Sequence, residues 1–172
     1  GLRGTGLMTK NLLVARCRPS EIEDFSKYTF FDGKNFVSGI ENAAPVCSEG
    51  GSEMSITPIT SGENKGKYLM IYTESGVGSG ICSRTGDTLT GPFSEKTLLY
   101  EIREPAQTER FGGKKIYSYN AKAHYHISSE NSLLVSCNFN SQDFESHLHN
   151  AEIYRPRFYR LKQLIRQKHI QT

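Results

Sequence analysis

Two short stretches place reactive residue types at spacings that would let them act together. Glu53 leads SEMSITPI (52–59), where Met54, Ile56 and Pro58 alternate with Glu53, Ser55 and Thr57. Successive strand side chains point to opposite faces, so Glu53 heads a polar face. A carboxyl group there serves as a general acid if burial raises its pKa toward the working pH. The second stretch is YNAKAHYHIS (119–128), with Tyr119, Asn120, Lys122 and His124. Asn120, Lys122 and His124 stand two apart and are expected on one face, with His126 further along it. Amide, ammonium and imidazole groups suit hydrogen bonding to ligand hydroxyls. Glu74 lies at the tip of an apolar run, where its carboxylate would reach a ligand from a loop or sit in solvent.

A third candidate is Gly76-Val77-Gly78-Ser79-Gly80, inside YTESGVGSGICSRTGDTLTG (72–91). A phosphate loop needs a strand before it and a helix after it, whose N–H groups meet the anion. Here KYLMIY supplies the strand, but GICSRTG reads as another strand. Position 81 is Ile, so G-x-G-x-x-G is broken, and no Lys-Ser or Lys-Thr pair directly follows the glycines as in a P-loop. The glycines are therefore expected in a hairpin.

These residues must be held by strands, because helix signals are sparse. KNLLVARCR (10–18), KYTFFDGKNFV (27–37) folded around Asp32-Gly33, SEMSITPI, KYLMIYTES, GICSRTG and TLLYEI (97–102) all read as strands. So do YSYNAKAHYHIS, NSLLVSCNFN and EIYRPRFYRL. The acidic PSEIEDFSK (19–27) is expected to make one helical turn. Leu161, Leu164 and Ile165 have helical spacing in the tail. Short strands joined by Gly, Asn, Ser and Asp predict an all-β chain. The strands fall into groups of two (before 52), four (52–102) and three (117–161), the pattern of a repeated four-stranded blade.

Composition narrows the functional classes. The 172 residues suit a single domain over 1–172, with 36% hydrophobic and 23% charged residues. No run approaches the ~18 apolar residues of a membrane span. The net charge of +3 is uneven: 155–172 holds six of the 21 Lys and Arg and no acid, leaving 15 basic against 18 acidic residues elsewhere. A basic, solvated tail accounts for this, and no aromatic-interleaved basic patch points to nucleic acid. Cys17, Cys47, Cys82 and Cys137 form no C-x-x-C pair. Cys17, Cys82 and Cys137 are expected as buried thiols in apolar strands.

YNAKAHYHISSENSLLVSCNFNSQDF (119–144) with AEIYRPRF (151–158) carries a family resemblance. NLLVARCRPSEIEDFSKYTFFDGKNF (11–36), SEMSITPI and TGPF (90–93) extend it over nearly the whole chain. Together they resemble the C-terminal half of secreted bacterial five-bladed β-propellers. These belong to domain-of-unknown-function families related to the arabinanase and β-xylosidase glycoside hydrolases.

The resemblance implies an all-β, partial five-bladed β-propeller of about two and a half blades of four-stranded antiparallel sheets. Residues 1–45 would end one blade, 46–104 form a complete blade, 115–161 form the last blade, and 162–172 be the basic tail. The missing N-terminal blades would come from the same polypeptide or from another chain. The implied function is hydrolysis of glycosidic bonds in a polysaccharide or oligosaccharide, arabinan-type among them. The alternative is a non-catalytic carbohydrate-binding or scaffold propeller.

Glu53 would then be the catalytic acid in the channel. Tyr119, Asn120, Lys122, His124 and Glu74 would bind substrate. The catalytic base is expected upstream of Gly1, because Asp24, Asp32, Asp87 and Asp143 all look like turn or loop residues. Arg155 and Arg157 in YRPRF read as a closing motif. No metal ligands are assigned, although related propellers hold a channel ion such as calcium. The implied location is secreted, periplasmic or cell-surface.

Overall fold

The computed structural model describes residues 1–4, 10–106, 115–129 and 132–162. The helical spacing of Leu161, Leu164 and Ile165 and most of the basic tail fall outside them.

The described chain is built from antiparallel strands, as its alternating pattern predicts. A central sheet contains β6 (Met54–Pro58), β7 (Tyr68–Thr73), β9 (Gly80–Gly86) and β10 (Thr97–Glu101), in the order β10-β9-β7-β6. A second sheet contains β11 (Ile116–Ala123), β12 (Leu133–Ser141) and β13 (Arg157–Leu161). Its fourth strand is β8 (Val77–Gly78), giving the order β13-β12-β11-β8.

The N-terminal part holds the pair β1 (Leu2–Gly4) and β2 (Lys10–Leu12). It also holds a small sheet of β3 (Ala15–Arg16), β4 (Thr29–Phe31) and β5 (Phe36–Val37). The expected Asp32-Gly33 hairpin joins β4 to β5; the Asp32 carboxylate accepts from the Lys34 and Asn35 amides and Gly33 takes φ 103°.

β7 explains the stacking. A strand covered on both faces reads as a continuous apolar run, and YLMIYT is almost wholly buried. Met70 and Tyr72 pack with Leu12, Cys47 and Cys82 toward the N-terminal part. Leu69 and Ile71 pack with Ile81, Ile116, Val135, Cys137 and Phe139 toward the second sheet. Each such buried side chain contributes roughly 1.5–3 kcal/mol. Arg84 enters the first of these cores. Its Nε donates to the Tyr72 hydroxyl (3.2 Å) and its Nη1 to the Ser94 carbonyl (2.8 Å).

Four local expectations need correction. KNLLVARCR does not form one strand: it breaks after Leu12 and resumes at Ala15, because Leu13 turns into a separate small core with Phe30 and Ala43. Cys17 lies beyond β3 and is partly exposed, whereas Cys82 and Cys137 are fully buried in strands. PSEIEDFSK forms two short 3-10 turns, the second capped by the Asp24 side chain accepting from the Ser26 amide. A short helix, α1 (Glu145–His149), follows β12 where only a loop had been expected.

The glycine segment also does more than turn. Its Val77–Gly78 leaves the central sheet and pairs with Ser118 and Tyr119 of β11. Ser118 Oγ donates to the Gly78 carbonyl. No helix follows, so the segment offers no phosphate cradle; it ties the two sheets together. Among the described residues, no helix is long and apolar enough to cross a membrane.

Candidate functional site

The strands β6 and β11 lie side by side where the two sheets meet. Ala121 N–H donates to Thr73 Oγ1 (3.0 Å), and Ala123 N–H donates to Ser55 Oγ (2.7 Å). These bonds turn the polar face of β6 toward β11. They bring Glu53, at the head of β6, near Tyr119.

A bulge in β11 shapes the site. Tyr119 pairs with Asn138 and Lys122 pairs with Ser136, so Asn120 and Ala121 together oppose the single residue Cys137. Asn120 takes φ 59°, a left-handed conformation that Asn tolerates better than most side chains. Its Oδ1 is sealed from solvent and has no hydrogen-bond partner.

The extra residue shifts the alternation. Ahead of the bulge, Tyr117 and Tyr119 share a face; after it, Lys122 and His124 do. The expectation that Asn120 shares the Lys122 and His124 face is thereby corrected. Tyr119 takes that position, and Asn120 becomes the bulge residue with a buried acceptor.

Tyr119 anchors an aromatic cluster. Its ring lies 6.1 Å from that of Tyr117, and its phenol lies close to that of Tyr154. Burial, then Tyr154, then the nearby Glu53 carboxylate push the Tyr119 phenol above its ordinary pKa. It stays protonated at neutral pH and can donate. Tyr154 is exposed, with φ 66°, and is fixed by its N–H donating to the Phe139 carbonyl (3.1 Å). Sequence reading placed Tyr154 in a strand. Pro156, which a strand edge would tolerate, instead lies outside β13, which starts at Arg157.

The other expected residues separate. Glu53 is exposed at the strand head. His124 Nε2 and Ser136 Oγ are 2.7 Å apart, so His124 is tied to β12. Lys122 stands across from Ser136. Glu74 lies at the same end of the central sheet as Glu53, but its Oε1 accepts from Lys96 Nζ at 2.6 Å. That bond turns it toward β10 and away from β11. Arg157 donates to the Glu152 carbonyl and lies over the Phe139 ring, while Arg155 is paired with Glu152 at 3.8 Å. Both arginines hold the approach to β13 in place. Among the described residues, no group of three or more His, Cys, Asp or Glu side chains converges to hold a metal. One buried amide oxygen beside one exposed carboxylate does not make a calcium set, which needs 6–8 oxygens.

A solved structure of a "putative hydrolase" from Bacteroides ovatus ATCC 8483 superposes with a TM-score of 0.63 at 18% identity. The superposition covers 87% of this chain and 39% of that one, so the chain spans about two fifths of its solved neighbour. At this identity the likeness is one of fold. Among curated proteins, none matches the sequence. Residues 3–164 match the model of the family described as Domain of unknown function (DUF5005), and the chain belongs to that family.

Proposed function

We propose that this chain is the C-terminal part of a five-bladed β-propeller that hydrolyses glycosidic bonds, with Glu53 as general acid. Two stacked antiparallel sheets support the propeller. From β6 in one sheet and from β11 in the other the chain steps outward strand by strand, with the two-residue β8 added on the free side of β11. That is how blades are built around an axis. The rest of the ring would come from residues outside this chain, in keeping with the 39% coverage of the solved neighbour. The neighbour's name supports hydrolysis; the sugar substrate is our reading.

The observation that carries the reading is the grouping of Glu53, the Tyr119–Tyr154 pair and the partnerless Asn120 Oδ1 at one end of the β6–β11 seam. Aromatic rings offer a face to sugar C–H groups, and Tyr119 donates. Glu53 is exposed in this chain and would supply a proton for the leaving oxygen once the remaining blades bury it. Glycoside hydrolysis needs a second carboxylate. Glu74 is occupied by Lys96, so the second would come from the remaining blades. Polysaccharide of this kind is met outside the cytoplasm, which makes the protein secreted, periplasmic or cell-surface.

Among the described residues Glu53 is the one carboxylate available at this end of the seam, which also favours a second reading, a sugar-binding propeller without catalysis. Release of reducing ends from arabinans and xylans, measured with the rest of the polypeptide present, separates the two. Hydrolysis that is lost in Glu53→Gln supports the first; sugar binding without release supports the second.

A further inference from the structure

At the other end of the seam the two sheets splay apart. The opening lies at the Pro58 end of β6, roughly 17 Å along the strand from Glu53. It forms a groove of about 980 Å³ between the central and second sheets.

One wall is a block of hydroxyls set by strand register. Thr57 and Thr85 flank Leu69 across β6, β7 and β9, and Ser83 stands opposite Thr97. All five line the groove. Among the described residues, none of these four hydroxyls is engaged by another group. The facing wall sets the cross-strand pair Leu133 and Leu161 beside Ser128, Ser129 and Ser132, whose hydroxyls are hydrogen-bonded within the protein. Tyr125 bridges the walls, its hydroxyl donating to Thr60 Oγ1 at 2.8 Å.

We infer that this groove is a second binding site, for a neutral carbohydrate chain. A purely apolar ligand would strip water from four hydroxyls and leave them unpaired, which is costly. An anionic ligand would meet the Glu63 and Glu95 carboxylates at the rim and, among the described residues, a lysine already engaged: Lys67 is paired with Asp87 at 3.1 Å. A sugar chain presents hydroxyls on its edges and C–H groups on its faces, and so satisfies both walls at once. The volume falls at the upper end of ligand sites, which span roughly 300–1,000 Å³. This site shares no residue with the Glu53 cluster, so each can fail without the other.

The test titrates the protein with arabinohexaose, xylohexaose and cellohexaose, and with inorganic phosphate and octanol as controls. Chemical-shift changes and calorimetry report binding, using Glu53→Gln protein to prevent turnover. Saturable binding of at least one hexaose is expected, with none of either control. Thr85→Val with Thr97→Val keeps strand shape and removes two hydroxyls. It should weaken binding by about tenfold or more, at roughly three- to tenfold per hydroxyl. Thr85→Ser with Thr97→Ser restores the hydroxyls and should bind nearly as the parent does, which separates lost contacts from lost folding. Unchanged binding in the Val variant, no saturable binding of any hexaose, or preferential binding of octanol or phosphate overturns the inference.

Discussion

Replacing Asn120 by Gly should make the protein more stable. In place, Asn120 carries two costs. Its Oδ1 is buried without a partner, a loss of about 1–3 kcal/mol. Its backbone sits at φ 59°, which glycine adopts more readily than any other residue. Glycine removes both costs. It adds back about 0.5–1 kcal/mol of chain entropy in a strand. The net expectation is a gain of about 1–2 kcal/mol. For a chain of this length that raises Tm by about 2–4 °C per kcal/mol. Urea unfolding of parent and variant at matched m-value measures it, since an unchanged m assigns the difference to stability. Strain retained against stability is expected where a residue serves a ligand. A variant less stable by 1 kcal/mol or more would refute the reasoning. It would mean that the Asn120 amide supports the fold and that the bulge tolerates it without cost.

Arg84→Met should destabilise by about 2–4 kcal/mol in urea unfolding, because it strands the buried Tyr72 hydroxyl and the Ser94 carbonyl. Glu49→Gln should change stability by under about 1 kcal/mol, since its contact with Arg84 is 3.9 Å and largely exposed. Burial pushes the Cys82 thiol up to about 11 and the Cys137 thiol to about 12, from 9.0 when unfolded. A folded pKa above the unfolded one gives stability that is complete below pH 9 and lost as pH rises toward 11–12. The loss approaches about 1.4 kcal/mol per pH unit per thiol. Urea midpoints in reducing buffer should therefore fall from pH 9 to 11, less steeply in Cys82→Ala; a flat profile contradicts this. With a thiol-reactive dye at pH 8, native protein should label at the partly exposed Cys17 and stay unlabelled at Cys82 and Cys137.

Much of the strand order was legible because it rests on burial. YLMIYT reads as a strand covered on both faces, and it is one. The four strands grouped over 52–102 form one sheet in that order, and β11 to β13 pair consecutively as well. What periodicity could not show was any break in periodicity. The bulge at Asn120 reverses which residues accompany Lys122, and nothing in the alternation of YNAKAHYHIS marks it; only an Asn inside a strand hints at it. Val77–Gly78 joins the second sheet through backbone pairing, which leaves no pattern in side-chain types. Glu74 looked available because its partner, Lys96, lies 22 residues away and meets it only through the fold. The Tyr119–Tyr154 pair was missed for the same reason: it joins two segments that are distant in sequence.

The role of Glu53 is tested most directly by varying the leaving group. With the rest of the polypeptide present, parent and Glu53→Gln are compared on arabinan or xylan and on the matching 2,4-dinitrophenyl glycosides. A dinitrophenolate departs without protonation, so loss of a general acid should spare it. The account predicts that Glu53→Gln loses about 100-fold or more on polysaccharide, within the usual range for general acid–base catalysis, and less than tenfold on the dinitrophenyl glycoside. Equal turnover of polysaccharide by both proteins would contradict it.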